Sequence, residues 1–154
     1  MATVRKEILT KAMPDDVWDV IRDIGALHTR LVPGFVTDTQ LEPGARIVTF
    51  ANGLTVREPI VTLDEEARRL VWSVEGLRTT HYNGAVQVFA APDGAHVVWI
   101  ADFLPDDAAD EIDAAMEAGT QAMQAALDRL AGEAGRPRDP YPASAAGTAI
   151  KNTK

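Results

Sequence analysis

The chain has 154 residues, 46% of them hydrophobic and 25% charged, a mix that suits one folded domain and is too short for two ordinary ones. A formal net charge of −8 and a pI near 4.8 argue against polyanionic partners, so neither nucleic acid nor an anionic membrane surface is expected. Cysteine is absent, which excludes disulfides, thiolate catalysis and cysteine-held zinc.

The opening Met1-Ala2-Thr3-Val4-Arg5-Lys6-Glu7 lacks the apolar stretch of a secretory signal, and no run approaches the roughly 20 apolar residues of a membrane span. A cytoplasmic protein without membrane insertion is the expectation. Residues 3–11 alternate and carry Val4 and Ile8, which predicts a first strand. Met13-Pro14-Asp15-Asp16 then starts a helix, since proline suits the first turn and acids complement the helix dipole. Val17, Trp18, Val20, Ile21 and Ile24 follow at helical spacing until Gly25, and residues 26–31 suggest a second short helix before Pro33-Gly34.

From Phe35 to Phe103 the pattern is an antiparallel meander, with strands at 35–41, 45–51, 54–63, 69–75, 80–90 and 96–103. Glu42-Pro43-Gly44, Asn52-Gly53, Asp64-Glu65-Glu66, Gly76 and Pro92-Asp93-Gly94 separate them; Asn-Gly and Asp-Gly are strong hairpin signals because those turns need positive φ. Pro105-Asp106-Asp107 opens a long amphipathic helix reaching Ala131, with Gly132 and Gly135 expected to end it. Residues 133–154 have no apolar periodicity and are expected to be a flexible tail, leaving a domain over residues 1–132.

A seven-stranded sheet needs a cover, and only the C-terminal helix has a stripe long enough to supply one. Its middle presents Met116, Gly119, Thr120 and Met123 rather than Leu, Ile and Val, and such small or flexible residues leave adaptable volume against the sheet. A loosely chosen core of an alanine-rich helix would give the same pattern.

Four stretches resemble the START-like superfamily, which includes the birch-pollen allergen, the plant abscisic-acid receptors and the bacterial polyketide cyclase/dehydrase and lipid-transport group. Pro14-Asp15-Asp16-Val17-Trp18-Asp19-Val20-Ile21-Arg22-Asp23 is similar to the opening helix of that superfamily, and Leu31-Val32-Pro33-Gly34-Phe35 to its lead into the second strand. Glu58-Pro59-Ile60-Val61-Thr62-Leu63-Asp64 resembles its recurrent glutamate four residues before Leu-Asp, and Tyr82 through Phe103 with Trp99 its last hairpin. The resemblance covers residues 3–131 and implies an α+β helix-grip (Bet v 1-like) fold: a seven-stranded curved antiparallel sheet, two short helices and a long C-terminal helix around a cavity. Members of such a fold bind, carry, sense or convert different small molecules, so it names no single activity.

Alternation puts Leu54, Val56, Glu58 and Ile60 on one face, so Glu58 is a carboxylate among apolar neighbours. It either points into the pocket or forms an edge ion pair with Arg57 or Arg68. The resemblance implies the first, since the matching receptor glutamate faces the cavity. Tyr82, Gly84, Val86 and Val88 form an inward set against the polar His81, Asn83 and Gln87, and Gly84 leaves room beside the tyrosine. Leu70, Trp72 and Val74 form another inward set. The last strand stays open: a two-residue Asp93-Gly94 turn turns Trp99, Ala101 and Phe103 inward, whereas spacing from Pro105 matched to the superfamily selects Val98, Ile100 and Asp102.

The expected ligand-lining set is therefore Val56, Glu58, Trp72, Val74, Tyr82, Gly84, Val86, Met116, Thr120 and Met123. His28, His81 and His96 are isolated and no glycine-rich phosphate loop occurs, so neither a metal nor another cofactor is expected. The leading expectation is a module, monomeric or homodimeric, that binds a small, mostly apolar molecule of polyketide, lipid or aromatic type. The alternative is a cofactor-independent cyclase or dehydratase with Glu58 as general base and Tyr82 as acid or oxyanion donor.

Overall fold

A computed structural model describes residues 1–134. The first strand, β1 (Ala2–Thr10), is followed by helix α1 (Pro14–Arg22), which starts on Pro14 with Asp15 and Asp16 in its first turn and buries Val17, Trp18, Val20 and Ile21. The predicted second short helix is two single turns, a 3₁₀ turn at Ile24–Ala26 and a π turn at Leu27–Leu31. Six strands follow: β2 (Val36–Glu42), β3 (Ala45–Phe50), β4 (Thr55–Asp64), β5 (Arg69–Ser73), β6 (His81–Ala91) and β7 (Gly94–Leu104). A 3₁₀ turn at Asp106–Ala108 leads into α2 (Ala109–Ala134).

All seven strands form one antiparallel sheet in the order β1-β7-β6-β5-β4-β3-β2. Strands β2 to β7 make the expected meander, and β1 returns to pair with β7, so α1 and the two turns carry the chain from one sheet edge to the other. The register of β4 against β5 shifts at Val61, an extra residue of the kind that bends a strand and deepens sheet curvature. The α+β helix-grip architecture follows: a curved sheet with α2 laid across its inner face.

Two apolar clusters hold α2 there. Ile112 and Met116 pack with Val4, Ala101, Phe103 and Ala108, while Met123 and Leu127 join the larger cluster around Ile21, Val48, Leu70 and Val97. Ion pairs fasten the first half of the helix: Lys6 reaches Asp113 and Glu117, both at 3.0 Å, and Arg78 reaches Asp107 at 3.2 Å and Glu111 at 3.3 Å.

One expectation needs correction and one open alternative is decided. Helix α2 runs through Gly132 to Ala134, because a glycine at the exposed end of a long helix costs only about 1 kcal/mol relative to alanine. Glu133 and Ala134 are thus helical, and the rest of the expected tail lies outside the described residues. The last strand is settled by its hairpin. The turn residues are Pro92 and Asp93, so Val88 faces Val97 and Val86 faces Trp99. This shift of two places keeps the same face, and Trp99, Ala101 and Phe103 point toward α2. Asp102 of the competing set instead accepts a hydrogen bond from Thr3 at 2.5 Å on the outer face.

Candidate functional site

Between the inner face of the sheet, α2 and the turn Leu27–Leu31 lies a cavity of about 460 Å³, within the range of about 300–1,000 Å³ usual for small-molecule pockets. Val56, Leu70, Trp72, Val86 and Trp99 line it from the sheet, Val74 from just beyond β5, Ile112, Ala115, Met116 and Met123 from α2, and Leu27, Leu31 and Phe35 from the segment before β2. Ala51, Asn52 and Leu54, with Leu77 and Glu111, form further parts of its lining. The polar side chains deep in this wall are Arg46, Glu58 and Tyr82.

Arg46 and Glu58 meet because of a turn. Asn52 and Gly53, with Gly53 at φ +89°, join β3 to β4, and the Asn52 carboxamide oxygen accepts from the Leu54 N–H at 3.0 Å. That turn fixes the register that sets Arg46 opposite Glu58. The Arg46 Nε donates to Glu58 Oε1 at 2.8 Å, and its Nη1 donates to the Ile24 carbonyl at 3.4 Å. The side chains are only 4% and 8% exposed. The guanidinium also lies over the Trp72 ring, 5.6 Å from its centroid, a cation–π arrangement. Burial pushes the Glu58 carboxyl above the usual carboxylate range, and the charge and hydrogen bond of Arg46 oppose that rise. The two alternative partners of Glu58 are engaged elsewhere: Arg57 with Glu42 and Glu75, Arg68 with Asp15.

Tyr82 stacks on Phe103 with ring centroids 6.2 Å apart. Burial, and secondarily the charge of Glu58, pushes its hydroxyl well above the ordinary phenol value, so it remains a neutral donor and acceptor across physiological pH. The folded protein holds this proton more tightly than the unfolded chain does. Stability contributed by the raised value is therefore present below the ordinary phenol value of 10.0 and is lost as pH rises beyond it. Tyr82→Phe is expected to flatten the alkaline limb of stability against pH, measured by urea unfolding between pH 8 and 11; an unchanged limb would assign that loss to other groups.

Eight residues of the expected lining set border the cavity: Val56, Glu58, Trp72, Val74, Tyr82, Val86, Met116 and Met123. Two do not. The space left by Gly84 is filled by Trp72, since a Cβ there would sit 2.5 Å from the indole Cε2. Thr120 turns its hydroxyl back to the Met116 carbonyl at 2.7 Å, within its own helix. Gly84→Ala is expected to cost about 1–3 kcal/mol by displacing that indole, read as a lower urea midpoint together with a changed tryptophan emission.

Arg46 and Trp99 belong to the lining and are absent from the expected set. For Arg46 a signal exists in part, because Arg46, Val48 and Phe50 alternate with Ile47 and Thr49; the register that reaches Glu58 comes from a turn centred on Asn52, which sets Phe50 opposite Leu54, whereas a two-residue Asn52-Gly53 turn would have set Arg46 opposite Pro59. Trp99 passes beneath α2 only because position 119 is glycine; a Cβ there would approach the indole to 2.9 Å.

The profile of a family described as polyketide cyclase / dehydrase and lipid transport matches residues 1–135. Similar solved structures include XoxI from Bacillus cereus, with 19% identity over 89% of this chain and 100% of that one at a TM-score of 0.75. A Thermobifida fusca protein has 27% identity over 90% and 99% of the two chains, with a TM-score of 0.71. Norcoclaurine synthase from Thalictrum flavum has 21% identity over 86% and 87%, with a TM-score of 0.66. No curated protein matches the chain. No helix among the described residues is long and apolar enough to cross a membrane.

Proposed function

The chain belongs to the polyketide cyclase/dehydrase and lipid-transport family, and from that premise we propose that it binds a small, mostly apolar molecule in the cavity between sheet and helix α2. The observation that carries this reading is the contrast within one wall. Apolar side chains from strands β2 to β7 and from α2 surround the buried Arg46–Glu58 pair, with Tyr82 nearby. Pockets of this make-up take their affinity from apolar contact and their selectivity from a few placed polar atoms. Val56, Glu58, Trp72, Val74, Tyr82, Val86, Met116 and Met123 are the contacts we assign to the ligand.

The test is thermal denaturation of the protein against aromatic polyketides, terpenoids and fatty acids. A true ligand at 100 times its Kd stabilises the fold by about 2.7 kcal/mol, a rise easily read in Tm. Absence of a rise with every apolar compound would remove the proposal. The same panel, assayed for product, addresses chemistry. Turnover that disappears in Glu58→Gln while binding persists would move the assignment to a cyclase or dehydratase with Glu58 as base.

A further inference from the structure

The polar wall of the cavity specifies more than the presence of a ligand. Arg46 uses its Nε on Glu58 and its Nη1 on the Ile24 carbonyl, and Glu58 accepts through Oε1. Nη2 of the arginine and Oε2 of the glutamate have no protein partner among the described residues, and neither is sealed from the surface as the orphaned Trp99 Nε1 is. A donor atom and an acceptor atom without a described protein partner thus remain on two side chains that bond to each other and line the cavity. Their formal charges cancel. The remaining charged residue of the lining, Glu111, is exposed and is occupied by Arg78 at 3.3 Å.

That arrangement discriminates among ligand headgroups. A carboxylate could accept from Arg46 but would meet Glu58, and an ammonium could donate to Glu58 but would meet Arg46. Either ion would give up its hydration without a counter-charge of its own, a penalty of several kcal/mol in a buried site. A neutral group with adjacent donor and acceptor satisfies both free atoms and brings no charge. Resting on the ligand-binding reading above, we propose that the cavity selects uncharged ligands carrying a paired donor and acceptor, such as a carboxamide or a hydroxy-ketone, and rejects free acids and amines of the same apolar body.

Four probes sharing one apolar body test this by equilibrium dialysis at pH 7: 2-naphthamide, methyl 2-naphthoate, 2-naphthoate and 2-naphthylmethylammonium. The amide is expected to bind at least about tenfold more tightly than either ion, with the ester, which only accepts, between them. In Glu58→Gln the uncompensated Arg46 should reverse the order, so that 2-naphthoate overtakes the amide. In the double variant Arg46→Met/Glu58→Leu, which retains an apolar core if the single variant does not fold, the four affinities should converge to within about threefold, the spread that apolar contact alone leaves. Either ion binding the unaltered protein as well as the amide, or the amide preference surviving in the double variant, would overturn the inference while leaving the ligand-binding reading in place. Failure of all four probes to bind would count against that reading itself.

Discussion

Arg46→Met alone is expected to destabilise the protein by about 3–5 kcal/mol, because it strands the Glu58 carboxylate in the wall of an apolar cavity. Glu58 is only 8% exposed and its one described protein partner is the Arg46 Nε at 2.8 Å. The double variant Arg46→Met/Glu58→Leu should recover most of that loss, since a buried ion pair is offset by its own desolvation and an apolar pair of similar bulk is often as stable. The deficit of the single variant should also depend on pH. Burial raises the Glu58 carboxyl, and removing Arg46 removes the influence that lowers it. A raised carboxyl is a cost only when ionised, so the deficit should be small below the ordinary value of 4.5 and should grow as pH rises through the raised one. Urea midpoints of the three proteins at pH 4 and pH 7 give the answer; a single-variant cost below about 1 kcal/mol at pH 7 would mean that water or another group already satisfies Glu58.

Gly94→Ala should be comparably severe for an unrelated reason. A Cβ at Gly94 would lie 2.1 Å from the Thr10 carbonyl oxygen and 2.8 Å from the Lys11 Cα, with φ at +156°. Both obstacles are backbone, so no rotamer change relieves them. Gly94 begins β7 beside the last pair that joins β1 to the sheet, Thr10 with Ala95. Relief therefore requires β1 to move away from β7. We expect a loss of about 3 kcal/mol or more, with hydrogen-exchange protection falling first at the β1 amides. Unchanged protection there would show that the strand edge yields more easily than its geometry indicates.

The sequence disclosed most of the fold because its turns are chemically explicit. Asn52-Gly53 and the Pro92-Asp93-Gly94 cluster mark hairpins by requirements that few other residues meet, and the meander between them follows. Alternation groups Glu58 with Leu54, Val56 and Ile60 on one face but leaves an edge ion pair open, and it is the family resemblance that turns the carboxylate inward. What it does not disclose is the partner. Arg46 lies 12 residues away in a strand whose other inward residues are Val48 and Phe50, and an arginine is ordinarily assigned to solvent. Only the register across the Asn52-Gly53 turn joins the two. Gly84 shows a different limit: a missing side chain is legible, but which neighbour fills the vacancy depends on the ring of Trp72 one strand away. Thr120 fails for a third reason, since the helical stripe marks a direction and says nothing of a hydroxyl that bonds to its own helix.

The glycine–tryptophan contacts carry a consequence for how this pocket can change over time. Trp72 needs a bare backbone at position 84, and Trp99 needs one at position 119. Within each pair, bulk is a shared quantity: a smaller residue in place of either indole releases room that its glycine could then occupy, whereas a side chain added first at the glycine must push the ring aside at a cost in stability. Substitution therefore has a preferred order, ring before glycine. A lineage that follows it can move empty space from one side of the cavity to the other, altering its outline without touching the Arg46–Glu58 pair.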